Sequence, residues 1–265
     1  MLLLGAGCAP VAPAPGGVNF GLMGDTPYSA SQAARLGHLL DDLNKEPLAF
    51  VAHVGDIGQS RPDEACGDAW LLERREQFRR IRHPFVLVPG DNEWSDCRDP
   101  ETRLKKWREL FCDLPSMPAS MRLERQAGEF CEHVRWRTGD TLFVAINVPG
   151  GRHAATHPGH EARERAVFAW LDEAERLSPP RLAVVMQADP FVPGGAFDRL
   201  KEKLARMAER RPGTVVLIHG DTHLYRDDMP LPGLRRIEVW GAPFVSWLRG
   251  TLRGGELEVE QTRQY

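Results

Sequence analysis

The sequence predicts an α/β layered domain. Short apolar runs recur along the chain at Val18–Met23, Leu48–Val54, Phe85–Val88, Leu142–Val148, Leu182–Met186, Val215–Ile218 and Ile237–Trp240. Most are continuous rather than alternating, as expected of strands covered on both faces. Helical patterning fills the intervals at Ser31–Leu43, Asp68–Arg80, Thr102–Leu110, Glu161–Leu177 and Phe197–Arg210. In the fourth of these, Ala162, Ala166, Ala169 and Trp170 share one side, with Arg and Glu on the other. Strand and helix in alternation give a layered architecture. Gly254-Gly255 separates two short alternating stretches, so residues 249–265 read as a terminal hairpin.

Composition narrows the function classes. Hydrophobic residues make up 42% and charged residues 27% of the 265 positions, so wholesale disorder is excluded. A formal charge of -3 argues against a generally basic nucleic-acid binder, and no specific nucleic acid is expected as a partner. No run of apolar residues is long enough to cross a membrane as a helix. There is no internal repeat, no Gly-x-Ser-x-Gly elbow, no Walker loop and no dinucleotide fingerprint. No linker-like composition interrupts residues 18–265, which are read as one domain.

Residues 1–17 (MLLLGAGCAPVAPAPGG) resemble the cleavage end of a bacterial lipoprotein signal followed by a tether, with Cys8 as the lipidated residue. The positive n-region is missing and the apolar run is short, so a frayed terminus is the alternative. Five cysteines are odd in number. Setting Cys8 aside leaves Cys66, Cys97, Cys112 and Cys131, and none of these pairs has Cys-x-x-Cys spacing. Two disulfides, Cys66–Cys97 and Cys112–Cys131, would suit a periplasmic or cell-envelope location. Buried free thiols in a cytoplasmic protein are the competing reading.

The informative residues stand directly after each apolar run. In order these are Gly24-Asp25-Thr26-Pro27, Gly55-Asp56-Ile57-Gly58, Pro89-Gly90-Asp91-Asn92-Glu93, Asn147 with Gly150-Gly151, Gln187-Ala188-Asp189-Pro190, and His219-Gly220-Asp221-Thr222-His223. Ligands gather outside the carboxyl ends of strands in open α/β sheets. Here those ends collect oxygen and imidazole donors suited to a cation. One Gly-Asp is an ordinary turn; four, each directly after a buried strand, are not.

The order and spacing of these motifs resemble the calcineurin-like metallophosphoesterases, a family of two-metal phosphate-ester hydrolases. The family pattern runs Asp-x-His, Gly-Asp, Gly-Asn-His-Asp/Glu, a lone His, then Gly-His-x-His. The resemblance spans about residues 18 to 245 and includes Trp170-Leu171 before the fifth strand. The set GDTPY, HVGDIG, PGDNEWSDC and HGDTH is also similar to a distinct bacterial and fungal branch. The resemblance implies a single-domain αββα sandwich. It implies metal ligands at Asp25, Asp56 (bridging), Asp91, Gln187, Asp221 and His223. Asp25 and His223 would complete one site, and Asp91, Gln187 and Asp221 the other. Asn92 falls on the proton-donor histidine, and Pro27 replaces the histidine of the first motif. Asp56, Asn92 and His223 are the expected catalytic positions, with Asn92 and Arg226 as substrate contacts.

The implied chemistry is hydrolysis of a phosphorylated small molecule or a phosphodiester by a metal-activated hydroxide. An amide at position 92 cannot deliver a proton. General acid help is typically worth ~10²–10⁴ in rate, so altered or reduced activity is expected. Four aspartates against two divalent ions leave no formal excess positive charge. An oxygen-rich donor set favours Mn²⁺ or Mg²⁺ over Zn²⁺, with one or two ions per chain. The alternative is a non-catalytic cation- or anion-binding protein on the same scaffold.

Other residues have bland readings beside these. His53 is either a partner of the site or a core histidine. His153, His157 and His160 read as a solvated Gly/Pro loop or as substrate contacts. Glu93 and Trp94 read as supports of the Asp91 loop. Arg74, Arg75, Arg79, Arg80 and Arg82 read as a solvated helix face.

Overall fold

A computed structural model describes residues 17–59, 66–113, 121–151 and 153–265. The lipoprotein-like segment, with Cys8, lies outside the described residues. The first sheet has the order β12-β11-β1-β2-β3. Its strands are β1 (Val18–Met23), β2 (Val51–His53), β3 (Phe85–Leu87), β11 (Leu248–Arg253) and β12 (Glu256–Gln261). The second has the order β4-β5-β6-β7-β8-β10-β9. Its strands are β4 (Glu124–Arg125), β5 (Val134–Thr138), β6 (Thr141–Ala145), β7 (Arg181–Val185), β8 (Val215–His219), β9 (Arg226–Leu231) and β10 (Leu234–Glu238). Each sheet has a parallel centre, β1-β2-β3 in one and β6-β7-β8-β10 in the other. Antiparallel strands flank both centres.

Three apolar layers hold this sandwich together. Between the sheets, Phe20 and Phe50 stack with ring centroids 4.9 Å apart. Phe143 of β6 meets both edge-on, and Trp136 of β5 meets Phe50. The outer face of the first sheet is covered by α1 (Ala30–Leu43), α2 (Asp68–Phe78) and α3 (Pro100–Phe111), through Leu36, Leu40, Leu71, Phe78 and Trp107. The second sheet is covered by α4 (His160–Arg176) and α5 (Asp198–Arg210), through Val167, Trp170, Leu171, Leu204 and Met207. The result is the expected αββα order, because each parallel strand is apolar on both faces and each helix on one.

Three strands were absent from the sequence expectation. β5 reads Val-Arg-Trp-Arg-Thr, an alternating pattern with one buried face, unlike the continuous runs of its neighbours. β9 is a polar edge strand, and β4 is two residues long. The basic stretch at the end of α2 also needs correction. Arg74 is buried and donates to Glu73 and Gln77, while Arg75 donates to the Leu110 carbonyl. Arg80 pairs with Asp41 of α1. Arg79, Arg80 and Arg82 are exposed as expected, whereas Arg74 is buried on its own helix and Arg75 ties α2 to α3.

Both expected disulfides form, with Cα separations of 5.9 Å for Cys66–Cys97 and 5.8 Å for Cys112–Cys131. The first links the start of α2 to the loop that carries Asp91.

The aromatic cluster between the sheets is the part of the core both layers share. Phe50→Ala removes contacts to Phe20, Phe143 and Trp136 at once. It should cost about 3–5 kcal/mol in urea denaturation. A loss below about 1 kcal/mol would show that the sheets are held apart from this cluster.

Candidate metal centre

Both sheets end their parallel strands at one edge, and the loops leaving those ends converge. The backbone there is unusual. Asp25, Asp56, Asp221 and His223 have φ of 48°, 56°, 84° and 66°. Non-glycine residues are uncommon in this left-handed region, at a cost of roughly 1–3 kcal/mol each. Four of the six such residues among the described residues are candidate ligands, so the strain concentrates where the chemistry is expected. Glycines let the loops close tightly: a Cβ on Gly90 would lie 1.9 Å from Asp56 Oδ1, and one on Gly220 2.0 Å from Asp25 Oδ2. That close approach is why Gly stands before Asp91 and Asp221.

The carboxylates are fixed by donors from neighbouring loops. Asp221 N–H donates to Asp25 Oδ1 at 3.0 Å, joining the two sheets' loops. Asp56 Oδ1 accepts from Asn92 N–H at 3.2 Å. Asp56 Oδ2 accepts from the Tyr28 hydroxyl at 2.8 Å and from the Asn92 amide at 2.9 Å. The same amide donates to the Tyr28 oxygen at 2.8 Å. Asp221 Oδ2 accepts from Asp189 N–H at 2.9 Å, and Asp221 Oδ1 from Gln187 Nε2 at 3.3 Å. Gln187 Oε1 accepts from Gly150 N–H. His223 Nδ1 lies 2.8 Å from the Ala242 carbonyl, which only accepts. Nδ1 therefore carries the proton and Nε2 keeps a free lone pair, 3.9 Å from Asp25 Oδ1.

Electrostatically the centre is unbalanced. Asp25, Asp56 and Asp91 are buried, and among the described residues no lysine or arginine pairs with any of the three or with Asp221. Burial first, then mutual repulsion, holds Asp25, Asp56 and Asp91 well above the ordinary aspartate range. Burial also raises Asp221. Burial pushes Glu93 up to about 7. Asp25 Oδ2 and Asp91 Oδ1 are buried without any hydrogen-bond partner. Orphaned carboxylate oxygens facing a like-charged cluster, with an imidazole nitrogen presented beside them, fit a divalent cation. Asp25 and His223 present oxygen and nitrogen 3.9 Å apart, and Asp56, Asp91, Asp221 and Gln187 stand on the adjoining loops as further donors. Among the described residues no three of these aspartates and His223 bring ligand atoms within 4.8 Å of one another, whereas the buried Asp189, His219 and Glu238 behind them do.

The remaining expected residues support these loops. Glu93 accepts from Ile57 N–H and Gly90 N–H, tying the Asp56 loop to the Asp91 loop. Trp94 is buried beneath it. His53 is fully buried against the Thr26 carbonyl and Gly55 N–H, and burial lowers it to about 3, so it is neutral. Arg226 places Nη1 against Glu238, Thr222 Oγ1 and Asp189. Glu238 accepts from both N–H and hydroxyl of Thr222, which stands between Asp221 and His223. Sequence reading passed over Tyr28 and Glu238. Tyr28 belonged to the GDTPY motif, and Glu238 was an acid inside an otherwise apolar strand. His157, read as part of a solvated loop, is instead buried against Trp94 with ring centroids 4.8 Å apart.

A carboxyl whose folded pKa is raised takes up a proton on folding. Its contribution to stability therefore falls as pH rises from the unfolded value near 3.8 through the folded one. In metal-stripped protein, Asp91→Asn removes this penalty and should raise Tm by about 2–4 °C at pH 8, and by less at pH 5. Calorimetry that found the variant less stable at pH 8 would contradict the repulsion.

A family model for calcineurin-like phosphoesterase matches residues 18–225. Among solved structures, a dimetal phosphatase from Danio rerio aligns with a TM-score of 0.62 at 13% identity, over 93% of this chain and 96% of that one. A 5'-nucleotidase from Candida albicans gives 0.56 at 10% identity, over 94% of this chain and 52% of that one. GAP50 of Plasmodium, described as the anchor in the inner membrane complex, gives 0.52 at 14% identity, over 94% and 90%. Likeness at these identities shows a shared fold. No curated protein matches the sequence significantly. The family match covers most of the chain and runs through every candidate ligand from Asp25 to His223, so the chain belongs to the calcineurin-like phosphoesterases and is a phosphoester hydrolase by family.

Proposed function

We propose that this protein hydrolyses phosphoric esters at the Asp25–Asp56–Asp91–Asp221–His223 centre, with a hard divalent ion and without a histidine proton donor. The carrying observation is that Asp25 and Asp91 each keep a buried oxygen without a hydrogen-bond partner, with His223 Nε2 3.9 Å from the other oxygen of Asp25. Divalent ions held there would polarise the phosphoryl group and acidify water.

The chain's own residues set the rest. Asp56 is oriented by three donors, so its geometry does not depend on a substrate. Both amide hydrogens of Asn92 are engaged, by Tyr28 and Asp56. Asn92 thus organises Asp56, and it meets a phosphoryl oxygen only by releasing one of these bonds. Gln187 braces Asp221 and the Gly150 loop together. Arg226 is held by Glu238, Thr222 and Asp189 and fixes the His223 loop from behind. Esters with good leaving groups are the favoured substrates, because no imidazole stands ready to protonate a poor one. The likeness to a dimetal phosphatase and a 5'-nucleotidase supports a phosphate ester of a small molecule. Two disulfides support an oxidising compartment such as the bacterial envelope.

Release of p-nitrophenol from mono- and diester substrates should require added Mn²⁺ or Mg²⁺. Asp56→Ala should lower it at least ~100-fold. Undiminished turnover in that variant would remove Asp56 from the catalytic centre, and metal binding with no turnover at all in the parent would instead favour a non-catalytic binding protein. In calorimetric titration of stripped protein, Zn²⁺ should exceed Mn²⁺ by no more than the general affinity order of divalent ions. Two Zn²⁺ ions retained through chelator dialysis would contradict the oxygen-rich centre.

A further inference from the structure

A second site lies behind the loop that closes the metal centre. Residues from α4, α5 and the β6–α4 loop line a narrow cleft that opens to solvent on one side. Val148, Val167, Phe168, Phe197 and Leu200 form apolar walls. Pro149 lines it, and the next two residues turn the other way, where Gly150 packs on Asp221 and Gly151 on Asp91.

Arg163 lines the cleft and is only 6% exposed. Its guanidinium stacks on Trp94 at 4.3 Å and touches the His157 ring. Its Nε has no partner. Among the described residues no carboxylate lies within ion-pair distance of it. Of the neighbouring acids, Glu132 is held bidentately by Arg108 at 2.7 and 2.9 Å, Glu164, which also lines the cleft, is paired with Arg199, and the exposed Glu129 acts on Arg163 only from beyond ion-pair distance. His157, lowered to about 4 by burial, is neutral and adds no charge. A buried guanidinium with no carboxylate in contact and an unpartnered Nε therefore stands at the head of a largely apolar cleft. An unpaired buried charge is costly, and a guanidinium fork is shaped for a carboxylate.

We infer that this cleft binds a monoanionic carboxylate with an apolar body, its head on Arg163 and its tail between α4 and α5. A single guanidinium, with Glu164 on the same wall, selects a monoanion over a phosphate dianion. This site is separate from the phosphoester centre.

Isothermal titration with octanoate, octan-1-ol and inorganic phosphate tests it. The full chain should take up octanoate saturably, one per chain, and bind octan-1-ol at least about tenfold more weakly. Arg163→Gln should weaken octanoate at least about tenfold, and Leu200→Trp, which fills the cleft, should abolish uptake. Asp56→Ala should leave octanoate binding unchanged, which separates this inference from the proposed hydrolysis. Absence of saturable octanoate binding by the parent protein overturns the inference, whatever the folding of the variants. So does equal affinity for octan-1-ol, or displacement of octanoate by equimolar phosphate.

Discussion

Three buried carboxylates and a fourth, partly buried one, with no lysine or arginine paired to any of them among the described residues, set the terms for this end of the molecule. In water such a cluster would spread apart. Here it is held by loops that leave the parallel centres of two mixed sheets at a common edge. The first sheet supplies Asp25, Asp56 and Asp91; the second supplies Gln187, Asp221 and His223. The spacing between the two groups is the spacing between the sheets, and the Phe20–Phe50–Phe143–Trp136 cluster sets it. The core therefore acts on the site directly, by fixing how closely like charges must approach.

Two further buried acids keep the loops in register. Glu93 binds two backbone N–H groups on different loops, and Glu238 binds the backbone and hydroxyl of Thr222. Each restrains a loop whose ligands sit at strained, left-handed φ. A divalent cation held there would offset the repulsion among these carboxylates. Strain and repulsion of this kind are tolerated only where surrounding structure over-determines them.

Much of this was legible in the sequence, for identifiable reasons. Continuous apolar runs such as Leu182–Met186 announce strands buried on both faces, and the polar residues right after them announce an edge where such strands end. That placed Asp25, Asp56, Asp91 and Asp221 from the chain alone. The alternating β5 and the polar β9 escaped, because one-sided and edge strands lack that signal. Tyr28, Glu238 and the cleft around Arg163 escaped for another reason. Their roles depend on which charges are matched across elements distant in sequence. Arg163 looks like any helix-surface arginine until Glu132 and Glu164 are seen to be paired elsewhere. Arg74 misled in the same way, since burial against α2's own neighbours is a tertiary property.

The central claim is that the buried carboxylates exist to hold a divalent ion. Anomalous diffraction at the manganese edge from Mn²⁺-soaked crystals tests it most directly. The account predicts a peak within coordination distance of Asp25 Oδ2, Asp56 and His223 Nε2, or of Asp91 Oδ1 and Asp221, with hydrogen bonds to Asn92 and Gln187 retained. Peaks confined to surface carboxylates, with these five residues unliganded and unmoved, would contradict it.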